Sequence, residues 1–580
     1  MCHSRKGSSI PFVEKESIGG SVHGRLRCVS CHTDAGSIPH PNELAPVACD
    51  RCHAVQSRTY LNSRHGRIAA HGRTTAEVCS DCHGEGHEIL KSKEEGSPVF
   101  RANIVDTCAQ CHADAEKMAT VRLAEMNPVQ TYKQTIHGLS FERGNSASAV
   151  CTDCHGIHNL YNALNPESSI YKKNIPDTCG NCHSEIAGIY KESIHGTAAL
   201  AGTAESPVCT DCHGGGHVID ASEKFSSIDT LEAITQMCVE CHESEQIIKK
   251  TDLPLERLST YRDSYHGLAA LRGDSAVANC ASCHGYHDIF PSDDPRSSIY
   301  AENLSETCGR CHPGAGEKLA FGNIHGSPES KHASLAVVQW FYWIMIPLSL
   351  GAMLVHNGLD WIRKLMSGKR TSIHTETVRF TINERLQHFI LLTTFILLAL
   401  SGFALKFPDA LWAQYLAPSD EILRRSVHRW AALVFTLLSV YHFLYLIVTS
   451  RGRFLLREMT PRFADLKDMF AVAAYNVGIR KTPPEHTDFY RYPEKIEYWA
   501  LVWGTVVMVL SGALLVFNNF TLKYFPLWVS DLATLVHYYE AILACLAIVV
   551  WHFYGVIFDP DVYPMNCAWL KGRVRCSDKK

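Results

Sequence analysis

The sequence predicts a two-part, mostly helical chain. A loop-rich N-terminal region of short helices, built as tandem repeats, precedes an all-α transmembrane bundle of five helices. Three observations predict this. Twenty of the 24 cysteines fall into ten C-x-x-C pairs, each followed directly by histidine. The pairs recur with a period of roughly 130 residues. After residue 333 the chain turns apolar in five stretches. The remaining composition is ordinary: 580 residues, 46% hydrophobic, 20% charged and a net charge of −4. That hydrophobic content excludes a disordered chain, and the lack of basic excess excludes a nucleic-acid binder.

The ten motifs are Cys28/Cys31/His32, Cys49/Cys52/His53, Cys79/Cys82/His83, Cys108/Cys111/His112, Cys151/Cys154/His155, Cys179/Cys182/His183, Cys209/Cys212/His213, Cys238/Cys241/His242, Cys280/Cys283/His284 and Cys308/Cys311/His312. C-x-x-C-H is the attachment signature of c-type haem. The two thiols form thioethers to the vinyl groups, and the adjacent imidazole binds the iron. A zinc knuckle pairs its C-x-x-C units two by two, and neither it nor a redox dithiol demands histidine at the next position every time.

The haem region reads as a duplicated four-haem unit. First cysteines 79 and 209 are 130 apart, as are 108 and 238, while 151 and 280, and 179 and 308, are 129 apart. Other histidines obey the same shift. His65, His195 and His325 are spaced by 130, and each precedes Gly; His137 and His266 are 129 apart, also before Gly. His87 and His217 lie in CHGEGH and CHGGGH, and His158 and His287 in CHGIH and CHGYH. With His23 and His40 near the start, these are the candidate second axial ligands. Bis-His coordination leaves the iron no open position and favours electron transfer over small-substrate chemistry. His71 and His332 have no repeat partner and are read as ordinary histidines. About one haem per 33 residues leaves little room for a side-chain core, so porphyrins are expected to supply much of the buried apolar surface.

Eleven distal candidates face ten complete motifs. Cys2 precedes Cys31 by 29 residues, the interval from Cys82 to Cys111 and from Cys212 to Cys241. Our hypothesis is that Cys2-His3 ends an eleventh motif, with Met1 internal to it and the true chain starting further upstream. The first residues contain no apolar core of a signal peptide.

The five apolar stretches, about 334–357, 386–407, 427–449, 496–517 and 532–558, approach or exceed the roughly 20 residues that span a bilayer. Arginine and lysine crowd the loops after the first and third stretches, while the alternate loops hold only Arg424 and Arg425, or Lys523. The positive-inside rule then places the basic loops and the C-terminal tail in the cytoplasm. Five crossings put the N-terminal region in the periplasm of a bacterial inner membrane. The expected division is 1–333 haem c domain, 334–558 membrane domain and 559–580 tail.

Histidines within membrane helices are costly and usually functional. His428 and His442 are 14 apart and His537 and His552 are 15 apart. Those gaps span about 21 and 22 Å, close to four turns, the separation of two stacked haems. His356 and His388 complete the set. Cys545 reads as a small apolar filler, Cys567 and Cys576 carry no assigned role, and the loop 450–495 contains Pro483-Pro484.

This half resembles the cytochrome b subunits of Ni-Fe hydrogenases and formate dehydrogenases. The resemblance rests on Glu384-Arg385-Leu386-Gln387-His388-Phe389, Leu400-Ser401-Gly402, Phe407-Pro408, Arg425-Ser426-Val427-His428 and the pair His537/His552, over about residues 378–558. It implies an outer haem b between His428 and His537 and an inner haem b between His388 and His552. His442 departs from the pattern and stands as an alternative inner ligand, and the first helix is additional.

Taken together the chain is similar to the inner-membrane multihaem quinol dehydrogenases of metal-reducing bacteria. The resemblance implies a respiratory oxidoreductase. It would oxidise a quinol, menaquinol by that likeness, through two b haems and about ten c haems to a periplasmic c-type cytochrome. Glu384 and His442 are the quinone-site candidates. Two alternatives stay open: the reverse direction, as a quinone reductase, and a membrane conduit for a separate hydrogenase- or dehydrogenase-type subunit. A nitrite-type reductase is disfavoured by the near-complete set of distal histidines.

Overall fold

The computed structural model describes residues 3, 12–69, 73, 75–119, 127–215, 217, 231–251, 256–274, 276–315, 333–367, 377–416, 420–484 and 489–574. Helices dominate. Among the described residues the only sheet is one antiparallel pair, Thr377–Val378 against Arg573–Val574. The chain forms two compact units, Met1–Cys241 with His284–Ser297, and His242–Cys283 with Ser298–Lys580. This division does not follow the composition break near residue 333: the last part of the cysteine-rich repeat belongs with the apolar helices.

In the first unit, motifs occupy single helical turns at Cys28–Cys31, Cys151–His155 and Cys209–His213. The histidine N–H donates to the carbonyl of the first cysteine, at 2.9 Å for His32 to Cys28, 3.0 Å for His53 to Cys49 and 2.9 Å for His183 to Cys179. With 3.6 residues per turn, both thiols and the imidazole then project from one short surface.

The sequence treats the motif cysteines alike, and here the structure differs from it. Cys52, Cys182 and Cys311 lie beyond the ends of the helices Cys49–Arg51, Ile175–Gly180 and Leu304–Gly309, and all three are exposed. In each of the three the last turn is tightened. The N–H of each donates three residues back, to Cys49 at 3.3 Å, Cys179 at 3.2 Å and Cys308 at 3.2 Å, as fraying helix ends do.

A second recurring piece is a corner between short helices with the pattern Tyr-x-x-Ser/Thr-x-His-Gly. Ser63, Thr135 and Ser193 accept from the N–H groups of Gly66, Gly138 and Gly196 at 3.1, 3.0 and 3.1 Å, as helix N-caps do. A Cβ on any of these glycines would run into the carbonyl of Tyr60, Tyr132 or Tyr190. Glycine follows the histidine because two backbones meet there.

Ordinary core is scarce in this unit. The only apolar cluster among its described residues joins Val105, Val129, Tyr132 and Val150. Val78, Val150 and Val208, each immediately before a motif, are at most 2% exposed.

The second unit contains five helices long and apolar enough to cross a membrane: Ala333–Met366, Ile382–Lys406, Glu421–Val448, Tyr492–Val516 and Leu527–Phe558. They outrun the apolar stretches because capped, charged turns extend them. Thr381 and Glu384 form a capping box at the second span, and Asp420 caps the third. The second span packs on the third and the fourth on the fifth. Large side chains such as Leu386, Trp430, Trp503 and Leu510 face outward, as a lipid solvent requires. The fifth span is α-helical to Ala547 and then widens into π turns over Ile548–His552 and Tyr554–Phe558. Such bulges gather at functional sites.

Between the third and fourth spans, helices Ser450–Met459 and Phe463–Asn476 fold back on the bundle. Leu446, Leu455, Met459 and Tyr490 form a buried cluster there, and the ammonium of Lys495, a residue 1% exposed, meets Asp465 at 2.7 Å.

Candidate metal centres

The histidines meet in twos. In the first unit, ring centroids of His23 and His53 lie 6.1 Å apart, His32 and His87 6.1 Å, His65 and His112 5.7 Å, and His83 and His158 6.2 Å. His137 and His183 lie at 6.2 Å, His155 and His217 at 5.8 Å, and His213 and His287 at 6.0 Å. His3 stacks on His40 at 5.7 Å. In the second unit His266 faces His312 at 6.1 Å. Each pair joins a motif histidine to a distal candidate. The pairing also repeats along the chain: His137–His183 and His266–His312 both span 46 residues.

These distances fit a metal held between two rings. Two imidazole–metal bonds of about 2 Å in line, with the half-width of each ring added, put the centroids roughly 6 Å apart. Among the described residues no group of three or more His, Cys, Asp or Glu side chains could hold an ion unaided. A macrocycle supplying four in-plane nitrogens suits ligands that come in twos.

Cys52, Cys182 and Cys311 are exposed, as are Cys28, Cys31, Cys82 and Cys111. A thioether asks only that the thiol reach the edge of the macrocycle, and the burial it needs is supplied by the porphyrin face. The partnered cysteines Cys49, Cys179 and Cys308, half-buried, carry what packing the chain itself provides there.

Burial favours the neutral imidazole, the form that binds a metal, at some of these rings. It pushes His155 down to about 4, with smaller contributions from His217, His112 and His65. His266 is lowered first by burial and then by His312.

His325, together with Cys2, His71, His332 and Cys576, lies outside the described residues. His195 sits on the same Ser-capped corner as His65, and His284 ends the helix Cys280–His284.

In the bundle His428 of the third span faces His537 of the fifth at 6.4 Å, and His388 of the second faces His552 of the fifth at 6.4 Å. Of the two inner candidates, it is His388 that lies against His552. His442 instead meets Gln387 Oε1 through Nδ1 at 2.7 Å and the Tyr498 hydroxyl through Nε2 at 3.0 Å.

Three of the four facing histidines are oriented by a second residue. Ser401 Oγ lies 2.9 Å from His428 Nδ1, and Ser511 Oγ lies 2.9 Å from His537 Nδ1. Each hydroxyl donates to the carbonyl four residues back, Leu397 or Val507, and so accepts the imidazole N–H. Nε2 is left free for a metal. Gly402 and Gly512 follow these serines, and a Cβ on either would sit 3.3 or 3.2 Å from the ring of His428 or His537. The Glu497 carboxylate accepts from His552 Nδ1. His388 Nδ1 is buried without a hydrogen-bond partner. Asn357 of the first span donates to the Val550 carbonyl at 2.8 Å, within the π turn that carries His552.

None of these supporting residues is apparent from the ligand pattern, yet one signal was present. Leu-Ser-Gly occurs twice, at 400–402 and at 510–512, once on each helix that lies against a ligand of the same pair.

Of the quinone-site candidates, Glu384 is 7% exposed and fully engaged. Its carboxylate accepts from Thr381 N at 2.8 Å and Tyr445 Oη at 3.1 Å, and pairs with Arg451 at 3.1 Å.

Comparison with known proteins agrees with both halves. Residues 379–563 match the family model of prokaryotic cytochrome b561. The multihaem cytochrome MtrA of Shewanella baltica is 27% identical over 211 residues, 32% of this chain and 52% of that protein. The chain thus spans about half the length of that relative. The cytochrome b556(fdo) subunit of Escherichia coli formate dehydrogenase is 22% identical over 197 residues, 34% of this chain and 81% of that protein. A row of paired histidines beside C-x-x-C-H turns, and two further pairs in a bundle of this kind, together fit one description: a multihaem c-type cytochrome fused to a membrane cytochrome b, working in electron transfer.

Proposed function

We propose that the protein oxidises a quinol, menaquinol by resemblance, and passes the electrons to a periplasmic c-type cytochrome. The observation that carries the reading is the pair of histidine sandwiches, His388–His552 and His428–His537, on helices long enough to cross the membrane. When bound there, haem supplies one-electron redox chemistry at two depths of the bilayer. His388, His428, His537 and His552 hold the two b haems. The Cys/Cys/His motifs and their partners hold the c haems, ten from complete motifs and an eleventh at Cys2/His3 with His40.

The quinol site lies beside the inner pair. His442 is bonded to Gln387, next in chain to His388, and to Tyr498, so it can take a proton released by a quinol. Glu384 anchors this end of the second span through Arg451 and holds Tyr445, whose ring lies 6.5 Å from that of His442. With the basic loops cytoplasmic, the C-terminus lies inside and the haem c region outside.

The likeness to the formate dehydrogenase cytochrome b subunit favours a second reading, a conduit for a separate catalytic subunit. One experiment separates them. Menadiol is added anaerobically to the purified holoprotein, with and without a quinone-site inhibitor, while b and c absorbance is followed. Inhibitor-sensitive reduction of b and then c is expected. No reduction, while dithionite still reduces every haem, overturns quinol oxidation.

A further inference from the structure

The second compact unit holds one complete c-type histidine pair, His266–His312, together with the membrane helices. Both sides of this pair are gripped by the bundle. On one side His312 Nδ1 meets Asn519 Oδ1 at 3.1 Å. Asn519 lies on the short helix Asn518–Tyr524 that joins the fourth and fifth spans. Ala315 and Leu522 are buried against one another there, with Cys308 and Leu527 packed on them.

On the other side the corner bearing His266 is fastened by charge. Arg272 Nε lies 3.2 Å from Glu421 Oε2, with the two side chains 6% and 0% exposed. Glu421 also receives Arg424 through two bonds of 2.6 Å. Arg424 in turn donates to the Ser401 carbonyl at 2.6 Å, and Ser401 orients His428. Arg425 meets Asp274 at 3.1 Å and the Tyr265 hydroxyl at 3.1 Å, and Tyr265 precedes His266. Lys406 reaches Asp263 at 2.8 Å. The buried Glu421 carboxylate is shared by two guanidinium groups, so losing it would strand two positive charges in low dielectric.

We infer that His266–His312 is the junction at which electrons cross between the b pair and the c row, and that Glu421, Arg272 and Asn519 are its positioning residues. The inference rests on the electron-transfer reading above but not on its direction. In the forward sense a reduced haem held by His428 and His537 would give one electron to an oxidised haem held by His266 and His312, with no proton transferred. The clamp thus joins the start of the third span, which carries His428, and the helix leading into the fifth span, which carries His537, to the two sides of the c pair. Asn519 also acts electronically: accepting the Nδ1–H of His312 makes that imidazole a stronger donor.

The test uses the full holoprotein. In Cys308→Ala/Cys311→Ala, loss of one covalent haem is checked by mass. Wild type and variant are fully reduced with dithionite and mixed with ferric mitochondrial cytochrome c, and b-band reoxidation is followed. At least a hundredfold slowing of b, with the remaining c haems oxidised at the wild-type rate, is expected. Unchanged b reoxidation overturns the inference. Should that variant fail to accumulate, Asn519→Leu serves. One c haem is then expected at a higher midpoint potential with both b haems unmoved, and Asn519→Asp, which keeps the acceptor, is expected not to raise it. No shift in any c haem on Asn519→Leu overturns the inference. Failure of menadiol to reduce the wild type counts against quinol oxidation alone and leaves this result standing.

Discussion

At the scale of single residues, two b-type pairs of like separation have unlike support. His428 and His537 are held by neutral hydroxyls, whereas His552 is held by a carboxylate. An anionic acceptor makes the imidazole a better donor and stabilises ferric iron. Glu497→Gln is therefore expected to raise the midpoint of the inner haem b and leave the outer one unmoved, which a redox titration at the b band checks. The corner glycines make a harder prediction. Gly138→Ala forces a methyl group into the Tyr132 carbonyl, and overpacking of this kind costs about 1–3 kcal/mol. Loss of one low-spin c haem, read by spectroscopy, is expected, while an alanine at Gly188, which has open space, is expected to be silent.

At the scale of elements, the ligand-bearing turns were legible because their chemistry demands fixed spacing. C-x-x-C-H must bring two thiols and an imidazole to one short surface, and the duplicated shift pointed to the distal histidines before any fold was known. What spacing does not report is how far each thiol is enclosed, so the outward placement of Cys52, Cys182 and Cys311 came only with the backbone. The five spans were legible from length and apolarity. Their pairing was not, because the choice between His388 and His442 depends on helix rotation, which spacing alone leaves open. Nor was the π turn at His552 readable. No proline or glycine marks Ile548–His552, and the widening shows only in its consequence, the Val550 carbonyl bonded by Asn357. Asn357→Leu leaves that carbonyl unpaired inside the bundle, at a cost of about 0.6–2 kcal/mol. Broadened or lost inner haem b signal with an intact outer one is the expected spectrum. The corner motif was half readable: the His-Gly dipeptides stood out, while the tyrosine and capping serine around them become meaningful only when two helices are seen to meet.

At the scale of the whole molecule, five spans among the described residues set the segment before Ala333 and the segment after Phe558 on opposite faces. A phosphatase fused after Lys580 is expected to be inactive and a fluorescent protein there to glow, since the former needs export and the latter folds in the cytoplasm; the reverse pattern overturns the proposed orientation. The break in composition near residue 333 looked like a domain boundary. Residues 242–283 and 298–315 share a compact unit with the bundle, where Arg272, Asp274 and Asp263 find charge partners on the membrane helices. Sequence patterning reports solvent preference, and a boundary of solvent is not always a boundary of packing.

The thin apolar interior of the first unit has a consequence for how the protein is made. Four residues form its only described side-chain cluster, far short of what offsets the chain entropy of more than two hundred residues. On the proposed outward placement, the segment is an open substrate for proteases on that side until its haems are attached, and each attachment removes a stretch from that risk. In a cell starved of iron, the chain should vanish by degradation rather than accumulate without cofactor, a difference that pulse-chase labelling under chelation will reveal.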